Sequence, residues 1–437
     1  MKLADKVRLC AAFAVCFSFA FAVRTAIATD PAQELQRANI NALQRAIGDL
    51  ATTFGDRYPR GKEFLQQAAA CEKEASTIEA AIRATDAKII QNTSSVVTKI
   101  EALRREALLA NPLLNFDKLL LVRRQEGQMG LPQNWQGDCS LPAYGYDNQI
   151  AVLSPVRPGG KVTALFQPEK GAFVGDVKLH FNAAKMLFSM PKPNNRWQIF
   201  ELDVDGQGLR QVSTDDPADV DNYDPCYLPD GRIIFCSTRC FQGVPCVGGA
   251  DKVANLFIMD ADGKSVRQLT FDQDHDWCPT VLNNGRVLYT RWEYSDTPHY
   301  FTRLLFTMNP DGTNQAAYYG SNSYWPNSTF YARPIPGHPT KVVAVISGHH
   351  GVPRMGELIV FDPALGRFEE KGAVQRIPGF GQKIEPIIRD GLVDGSWPKF
   401  LHPYPLSEKY FLVSCKPTPS ANFGAFTSSI RSTTSCC

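Results

Sequence analysis

A strand pattern that recurs about every 50 residues constrains the fold of this chain more than any other feature. Six segments start with a basic residue and continue with apolar or β-branched residues: Lys118–Arg123, Lys185–Met190, Arg232–Ser237, Arg286–Arg291, Lys341–Ser347 and Lys409–Cys415. After four of them a second apolar run ends in a tight turn, at Gly206, Gly263, Gly312 and Gly366, which are 57, 49 and 54 residues apart. Self-similarity at this period, with several short strands in each unit, is typical of a β-propeller.

The turns and strands of the repeat explain how such units would pack. Asp-Gly turns permit the positive φ of a tight hairpin, and β-branched residues pack one sheet on the next. No helical pattern separates the strands, which disfavours a parallel α/β sheet. The sequence therefore predicts a mainly β fold over residues 113–421. We assign six propeller blades, the last one truncated, to residues 116–168, 174–214, 221–271, 275–320, 329–376 and 397–437.

Residues 1–28 are predicted to be a signal peptide. Basic residues precede the apolar run Leu9–Val23, and Ala26-Ile27-Ala28 supplies a small-residue cleavage pattern. The alternative, an uncleaved anchor, is weaker because the run is shorter than the ~18 residues that span a bilayer. The chain is therefore expected to be exported to the periplasm or beyond the cell, with no stable membrane span after cleavage.

Residues 29–112 are predicted to be helical. Asp30-Pro31 is a typical helix start. One apolar stripe follows at spacings of 3 and 4 residues, formed by Ile40, Leu43, Ile47, Leu50 and Phe54. A second stripe begins at Phe64, and a third helix ends before Pro112. The pattern indicates a helical hairpin or small coiled coil, with a dimerisation arm as the alternative.

The tail, residues 422–437, is predicted to fit no blade. It is rich in Ser and Thr and ends in two cysteines where a strand and an Asp-rich turn are expected. Back-translation with a one-base shift after Gly424 gives a strand-turn-strand sequence with suitable codons. We therefore expect that the gene is frameshifted or truncated here, which sequencing of the locus would test.

Composition and motifs weigh against several functions. Lys and Arg number 46 against 44 Asp and Glu, and no basic run is interleaved with aromatics, so no nucleic-acid partner is expected. The sequence has no G-x-S-x-G, H-E-x-x-H or phosphate-binding Gly-Lys loop. It also lacks Cys-x-x-Cys-His, the attachment motif of c-type haem. No cofactor is therefore evident, although a metal ion is possible on the grounds given below.

Cysteines are candidates for disulfides, because an exported protein meets an oxidising compartment. The candidates in the third and fourth blades are Cys226, Cys236, Cys240, Cys246 and Cys278. Cys226 and Cys278 are assigned the same position in successive blades and are expected to face each other. Buried free thiols and metal contact are the alternatives.

Four stretches resemble a known group of proteins: Arg105–Arg124, Asn222–Cys240, Val345–Leu358 and Asp394–Pro417. They are similar to large exported proteins of planctomycete-type bacteria. Those proteins carry a propeller similar to the middle domain of the hydrazine synthase alpha subunit and, more distantly, to the Tol-associated periplasmic propellers. The resemblance implies a propeller fold. The alpha subunit binds its c-type haems through Cys-x-x-Cys-His motifs, which this sequence does not have.

Two groups of residues are candidates for binding a metal or another ligand. His349 and His350 lie in a glycine-flanked loop near Glu357, which suggests a Zn or Cu site; a histidine bonded to the backbone is the alternative. Asp274, His275 and Asp276 enter an inner strand, where acidic residues could line the central channel and hold a cation; an Asp that caps a turn is the alternative. Aromatic residues in the loops of the fourth and fifth blades suggest a glycan or peptide surface, with core aromatics as the alternative. These ligand-surface candidates are Asp274, His275, Asp276, Trp292, His299 and Trp325.

The sequence thus predicts an exported binding or scaffold module that takes a protein, small molecule or glycan at a propeller face. No catalytic residue is named, and the chain alone is more simply a binding protein than an enzyme. The alternatives are a subunit or truncated remnant of a haem-linked oxidoreductase, and a glycan-handling enzyme for which no carboxylate pair is identified.

Overall fold

The computed structural model describes residues 30–125, 127–215, 217–294, 302–379, 382–418, 425–426 and 429–430. The predicted signal peptide and His299 lie outside the described residues. The chain divides into two compact units, with the boundary between Asp117 and Lys118. Among the described residues, no helix combines the length and the apolar character that a membrane span requires.

The first unit is helical. Its helices are α1 (Pro31–Ala38), α2 (Ile40–Phe54), α3 (Gly61–Ala84), α4 (Ala87–Ile90) and α5 (Thr93–Leu109). The Asp30 carboxylate caps α1 by accepting the N–H of Ala32, as the Asp-Pro start predicts. The apolar stripe of α2 is buried, and the Tyr58 hydroxyl donates to the Ala107 carbonyl at 2.9 Å, which ties the turn after α2 to α5.

The second unit is built of short strands. They are β1 (Leu119–Arg124), β2 (Asn148–Ser154), β3 (Lys161–Phe166), β4 (Gly175–Leu179), β5 (Lys185–Pro191), β6 (Trp197–Asp203), β7 (Arg210–Gln211), β8 (Asn222–Tyr227), β9 (Ile233–Ser237), β10 (Asn255–Met259), β11 (Arg267–Gln268), β12 (Asp276–Val281), β13 (Val287–Trp292), β14 (Arg303–Met308), β15 (Ala316–Tyr319), β16 (Ser328–Pro334), β17 (Val342–Ser347), β18 (Glu357–Phe361), β19 (Ala373–Ile377), β20 (Lys399–Pro405), β21 (Tyr410–Lys416), β22 (Ala425–Phe426) and β23 (Ser429–Ile430).

Consecutive strands pair antiparallel in up-and-down order. Separate sheets are formed by β1–β3, β4–β7, β8–β11 and β20–β23. The groups β12–β15 and β16–β19 have the same order and are joined by a single parallel bridge between Arg303 and Ser328. Each of the six predicted apolar segments coincides with a strand, within one residue at each end. The first segment matches β1, and the other five match the second strands of their groups, β5, β9, β13, β17 and β21. A mainly β fold of propeller type is therefore confirmed.

Apolar clusters lie between successive groups of strands. Ile234 and Leu256, for example, pack with Val287 and Tyr289 of the following group, and all four side chains are fully buried. The first strands also lie side by side: β4 contacts β8, β8 contacts β12, β12 contacts β16, and β16 contacts β20. This places the first strands of these five groups on the inside of the unit.

Part of the predicted non-blade tail belongs to the last sheet. β22 and β23 both pair antiparallel with β21, with Ala425 opposite Cys415 and Ser429 opposite Phe411. In these two segments the tail does continue the last group of strands, unlike the prediction for residues 422–437.

Candidate functional site

The first strands of five groups share a β-bulge at the same place. The register between first and second strand shifts by one residue in β4, β8, β12, β16 and β20. At each shift one residue has a φ between 48° and 54°, and these bulge residues are Asp176, Asp224, Cys278, Tyr331 and His402. Such a φ is unusual for any residue with a side chain and an outlier for a bulky one. Because the same backbone strain recurs at equivalent positions of five strands, we infer that the fold holds these five side chains in specific orientations.

Cavities lie where the bulge residues meet. One of about 30 Å³ is lined by residues of β4, β12, β16 and β20, and a second of about 40 Å³ by residues of β1, β4, β16 and β20 with the segment that follows β1. Asp176, Tyr331 and His402 line both. Because strands from both ends of the unit surround these spaces, the bulge residues form a ring around its centre. Each cavity has room for about two water molecules.

Hydrogen bonds connect neighbouring members of the ring. The backbone N–H of Asp224 donates to the Asp176 carboxylate at 3.3 Å, and the N–H of Cys278 donates to the Asp224 carboxylate at 2.7 Å. Farther round, the Tyr331 and His402 rings meet edge to face with centroids 4.2 Å apart. The bulge side chains are therefore held by the adjacent first strands rather than by their own sheets.

A segment between β1 and β2, residues 127–141, reaches across the ring; we call it the central segment. Asn134 is buried and anchors it: its amide donates to the Gly348 carbonyl at 2.6 Å, and its oxygen accepts the Arg354 N–H at 2.7 Å. Ser140 donates to Asp251 at 2.8 Å. The segment thus bonds to the third and fifth groups of strands, far from its own place in the chain.

Close approach within the central segment requires glycine at position 137. A Cβ there would lie 1.9 Å from the hydroxyl oxygen of the buried Tyr223. The following residue, Asp138, lines the second cavity together with Asp176. β1 pairs with β2 without a register shift, so β1 has no bulge residue of this kind. In the second cavity the central segment contributes an acidic group instead, the carboxyl group of Asp138.

Charged groups meet at the ring. The Asp138 carboxyl group lies within hydrogen-bond reach of Asp176; burial, and then the Asp176 carboxylate, raise the pKa of Asp138 well above its ordinary value. Burial also raises the pKa of Asp224, against the effect of the Lys178 ammonium, which lies 3.5 Å from it. The nearby carboxylate raises the pKa of Asp138 because a second negative charge disfavours its ionised form.

Arg354 balances the carboxyl groups. It is buried, stacks on Trp277 and Phe330 with its guanidinium carbon 4.8 and 4.3 Å from the ring centroids, and donates to the Gln136 carbonyl at 2.6 Å. Burial alone would lower the pKa of Arg354, but its neighbours, Asp138 among them, raise it above the ordinary value. Arg354 is therefore a permanent positive charge at the ring.

The described ligand-surface candidates are buried, so the prediction that they form a surface is wrong. Asp274, His275, Asp276, Trp292 and Trp325 are at most 2 % exposed. Burial raises the pKa of Asp274 to about 6 and of Asp276 to about 8, and it lowers the pKa of His275 well below its ordinary value. The aromatic members pack in the interior, where Trp292 lies parallel to Trp277.

The two adjacent histidines lie in different environments. His349 is buried with its Nδ1 2.6 Å from the Arg303 guanidinium, and burial, then Arg303, lower the pKa of His349 to about 2. His350 is exposed and its Nδ1 lies 2.8 Å from Asp390. The described part of the chain contains no group of three side chains placed to hold a metal ion. A guanidinium beside His349 also repels a cation, so the geometry does not support the predicted metal site.

The five disulfide candidates are free cysteines in the structure, so the expected disulfides are not shown. The predicted match of Cys226 with Cys278 is wrong by two positions. When β8 and β12 are aligned on Pro225 and Pro279, Asp224 occupies the position equivalent to that of Cys278. The Cys226 thiol is buried, and burial raises its pKa to about 11.

The same alignment supplies the signal that could have revealed the ring. A proline follows the bulge residue in three of the five strands, at Pro225, Pro279 and Pro403. Aligning the repeats on these prolines brings Asp224, Cys278 and His402 together.

Comparisons with known proteins agree with the propeller fold. No family model matches the sequence, and no curated protein matches it. Among solved structures, Kuenenia stuttgartiensis hydrazine synthase matches with a TM-score of 0.51 and 16% identity over 72% of this chain and 45% of that chain. A putative TolB from Agrobacterium tumefaciens matches with a TM-score of 0.39 and 14% identity, over 56% and 85% of the two chains. TolB from Acinetobacter baumannii gives 0.40 and 10%, over 79% and 71%.

The chain thus resembles hydrazine synthase in fold, as the sequence predicted. It spans less than half the length of the hydrazine synthase chain that it matches. At this identity the likeness concerns the fold and carries no activity with it.

Proposed function

We propose that this chain is an exported β-propeller that acts as a binding module and holds a small polar ligand in the central cavities. One observation carries the proposal: of five strained bulge residues from five groups of strands, four line the first cavity, and the fifth, Asp224, accepts a hydrogen bond from the Cys278 N–H. Strain of this kind costs about 1–3 kcal/mol per residue and persists where the surrounding structure enforces it, typically at ligand sites. Core packing alone gives no reason to repeat it five times.

In this proposal the six groups of strands are six propeller blades. They are β1–β3, β4–β7, β8–β11, β12–β15, β16–β19 and β20–β23. Packing of neighbouring groups through apolar clusters supports them, as does the lining of one cavity by β1, β4 and β20 together. The basic and apolar pattern of the first 28 residues supports export to the periplasm or the cell exterior.

The chemistry of the cavities favours binding over catalysis by this chain alone. Donors and acceptors converge there, including the Asp176 carboxylate, the Tyr331 hydroxyl and the His402 imidazole. The space is too small for a sugar or a peptide. It suits a molecule of about three or four non-hydrogen atoms, comparable in volume with two water molecules.

Calorimetric titration with three planar probes of equal size tests the proposal. Formate, formamide and formamidinium carry charges of −1, 0 and +1 on about the same three-atom frame, and probes this small reach a Kd on the order of 1 mM at best. We expect at least one to bind. Thr280→Leu, which fills the first cavity, abolishes that binding. Thr280→Val, which keeps the cavity volume and loses only the hydroxyl, weakens that binding without abolishing it.

Three results would count against the proposal. Absence of binding by all three probes contradicts it, as does binding that Thr280→Leu leaves unchanged. Unfolding of each variant, followed by fluorescence, separates lost binding from lost structure. A Soret band that survives denaturation of the purified protein would instead favour the haem-linked alternative.

A further inference from the structure

The charges around the first cavity identify the class of ligand. Resting on the proposed function, we infer that this site takes a small anion of the size of formate, held between Lys178 and Arg333. Both side chains line the first cavity, on β4 and β16. Each stands two residues after a bulge residue, so the repeat places them equivalently in their strands.

Arg333 supplies a guanidinium group to the lining of the first cavity. It makes no ion pair with any residue in the described ranges, although a guanidinium beside a cavity normally finds a carboxylate or a ligand. Lys178 is only 16 % exposed and lies 3.5 Å from Asp224, a distance that leaves its ammonium able to contact a second acceptor. Two cationic side chains therefore border a cavity whose lining includes one carboxylate, that of Asp176.

The balance of charge at the ring points the same way. Three cations, Lys178, Arg333 and Arg354, face the carboxyl groups of Asp138, Asp176 and Asp224. Burial, and then the Asp176 carboxylate, raise the pKa of Asp138 well above its ordinary value, so this carboxyl group offsets less of the positive charge. The cationic side chains that line the first cavity therefore favour an anion as its ligand.

Uncharged donors complete the site. The Thr280 hydroxyl and the Tyr331 hydroxyl line the same cavity and can each donate to an anionic oxygen. A cationic ligand would instead have to lie against Lys178 and Arg333 without screening by bulk water. The site therefore selects formate over its neutral and cationic counterparts.

Calorimetry with the same three probes, on the full chain, tests the assignment. Formate is expected to bind at least about tenfold more tightly than formamide or formamidinium, a difference of 1.4 kcal/mol. Arg333→Met weakens formate binding about tenfold. Arg232→Met is the matched control, because Arg232 is half-exposed and pairs with Asp230 on the surface, so formate affinity is unchanged.

The outcomes separate the two proposals. If formamide or formamidinium binds as tightly as formate, the central site stands and the anion assignment is wrong. If formate binds but Arg333→Met and Arg232→Met behave alike, the anion lies elsewhere and the assignment is also wrong. Since Arg333→Met changes only a cavity-lining side chain, its urea midpoint is measured alongside to confirm that the propeller remains folded.

Discussion

Replacing Arg354 with methionine tests whether the charges at the ring are balanced as the structure indicates. Methionine keeps the apolar contact with Trp277 and Phe330 but removes the positive charge beside Asp138 and Asp224. Breaking a buried pair by removing one partner costs about 3–5 kcal/mol, because an uncompensated charge remains. Allowing for the retained stacking, we expect a loss of about 3 kcal/mol in the free energy of unfolding.

Urea unfolding followed by tryptophan fluorescence measures this loss. All six tryptophans, from Trp135 to Trp397, lie after Lys118, so the signal reports on the strand unit alone. Arg232→Met is the control, because an exposed ion pair contributes about 1 kcal/mol or less. If Arg354→Met costs no more than Arg232→Met, the assumed charge balance is refuted.

A double variant isolates the electrostatic part. Asp224→Asn removes one of the carboxylates that Arg354 compensates, so adding it to Arg354→Met should recover about 1 kcal/mol or more. In the wild-type background the same Asp224→Asn change should be destabilising, because Lys178 then loses its partner. Equal effects in both backgrounds would show that Arg354 and Asp224 act independently.

Three further predictions concern stability and thiol reactivity. Burial raises the pKa of Asp276 to about 8 in the native state, against about 4 in the unfolded chain, so the native state binds one more proton between these pH values. The free energy of unfolding should therefore fall as the pH rises from 4 to 8, by up to about 1.4 kcal/mol per pH unit. Asp276→Asn should flatten this dependence in a series of thermal unfolding measurements over that range. Gly137→Ala should cost about 1–3 kcal/mol in urea unfolding because its Cβ meets Tyr223, whereas Gly395→Ala, with open space around it, should cost little. Cys246 should be the described cysteine that maleimide modifies first in the native protein, by peptide mapping; cysteines protected under denaturing, non-reducing conditions would instead indicate a disulfide.

The repeat could be predicted because the sequence of each strand has its own run of apolar and β-branched residues. Val287–Trp292, for example, is an apolar run between two turns, and local propensity and tertiary packing agree there. The helices of the first unit follow from the stripe and the Asp30 cap for the same reason. Periodicity is a local signal, and these elements are locally determined.

The ring and the central segment could not be predicted in this way. A bulge changes the register by one residue and leaves the apolar pattern almost intact, so the pattern does not mark Asp224, and Cys278 is predicted only as a disulfide candidate. Asn134 donates a hydrogen bond to Gly348, which lies more than two hundred residues later in the chain, and sequence periodicity does not predict such a contact. His275 is predicted at the entrance of an inner strand, but the local sequence does not show that neighbouring sheets bury its side chain completely.

A crystal structure of the protein soaked in turn with formate, formamide and formamidinium tests the central claim most directly. The account predicts density for formate in the first cavity between Lys178 and Arg333, with an oxygen within reach of the Thr280 or Tyr331 hydroxyl. It would be contradicted if all three probes lay only on the outer surface, or if side chains filled the space between Asp176, Tyr331 and His402.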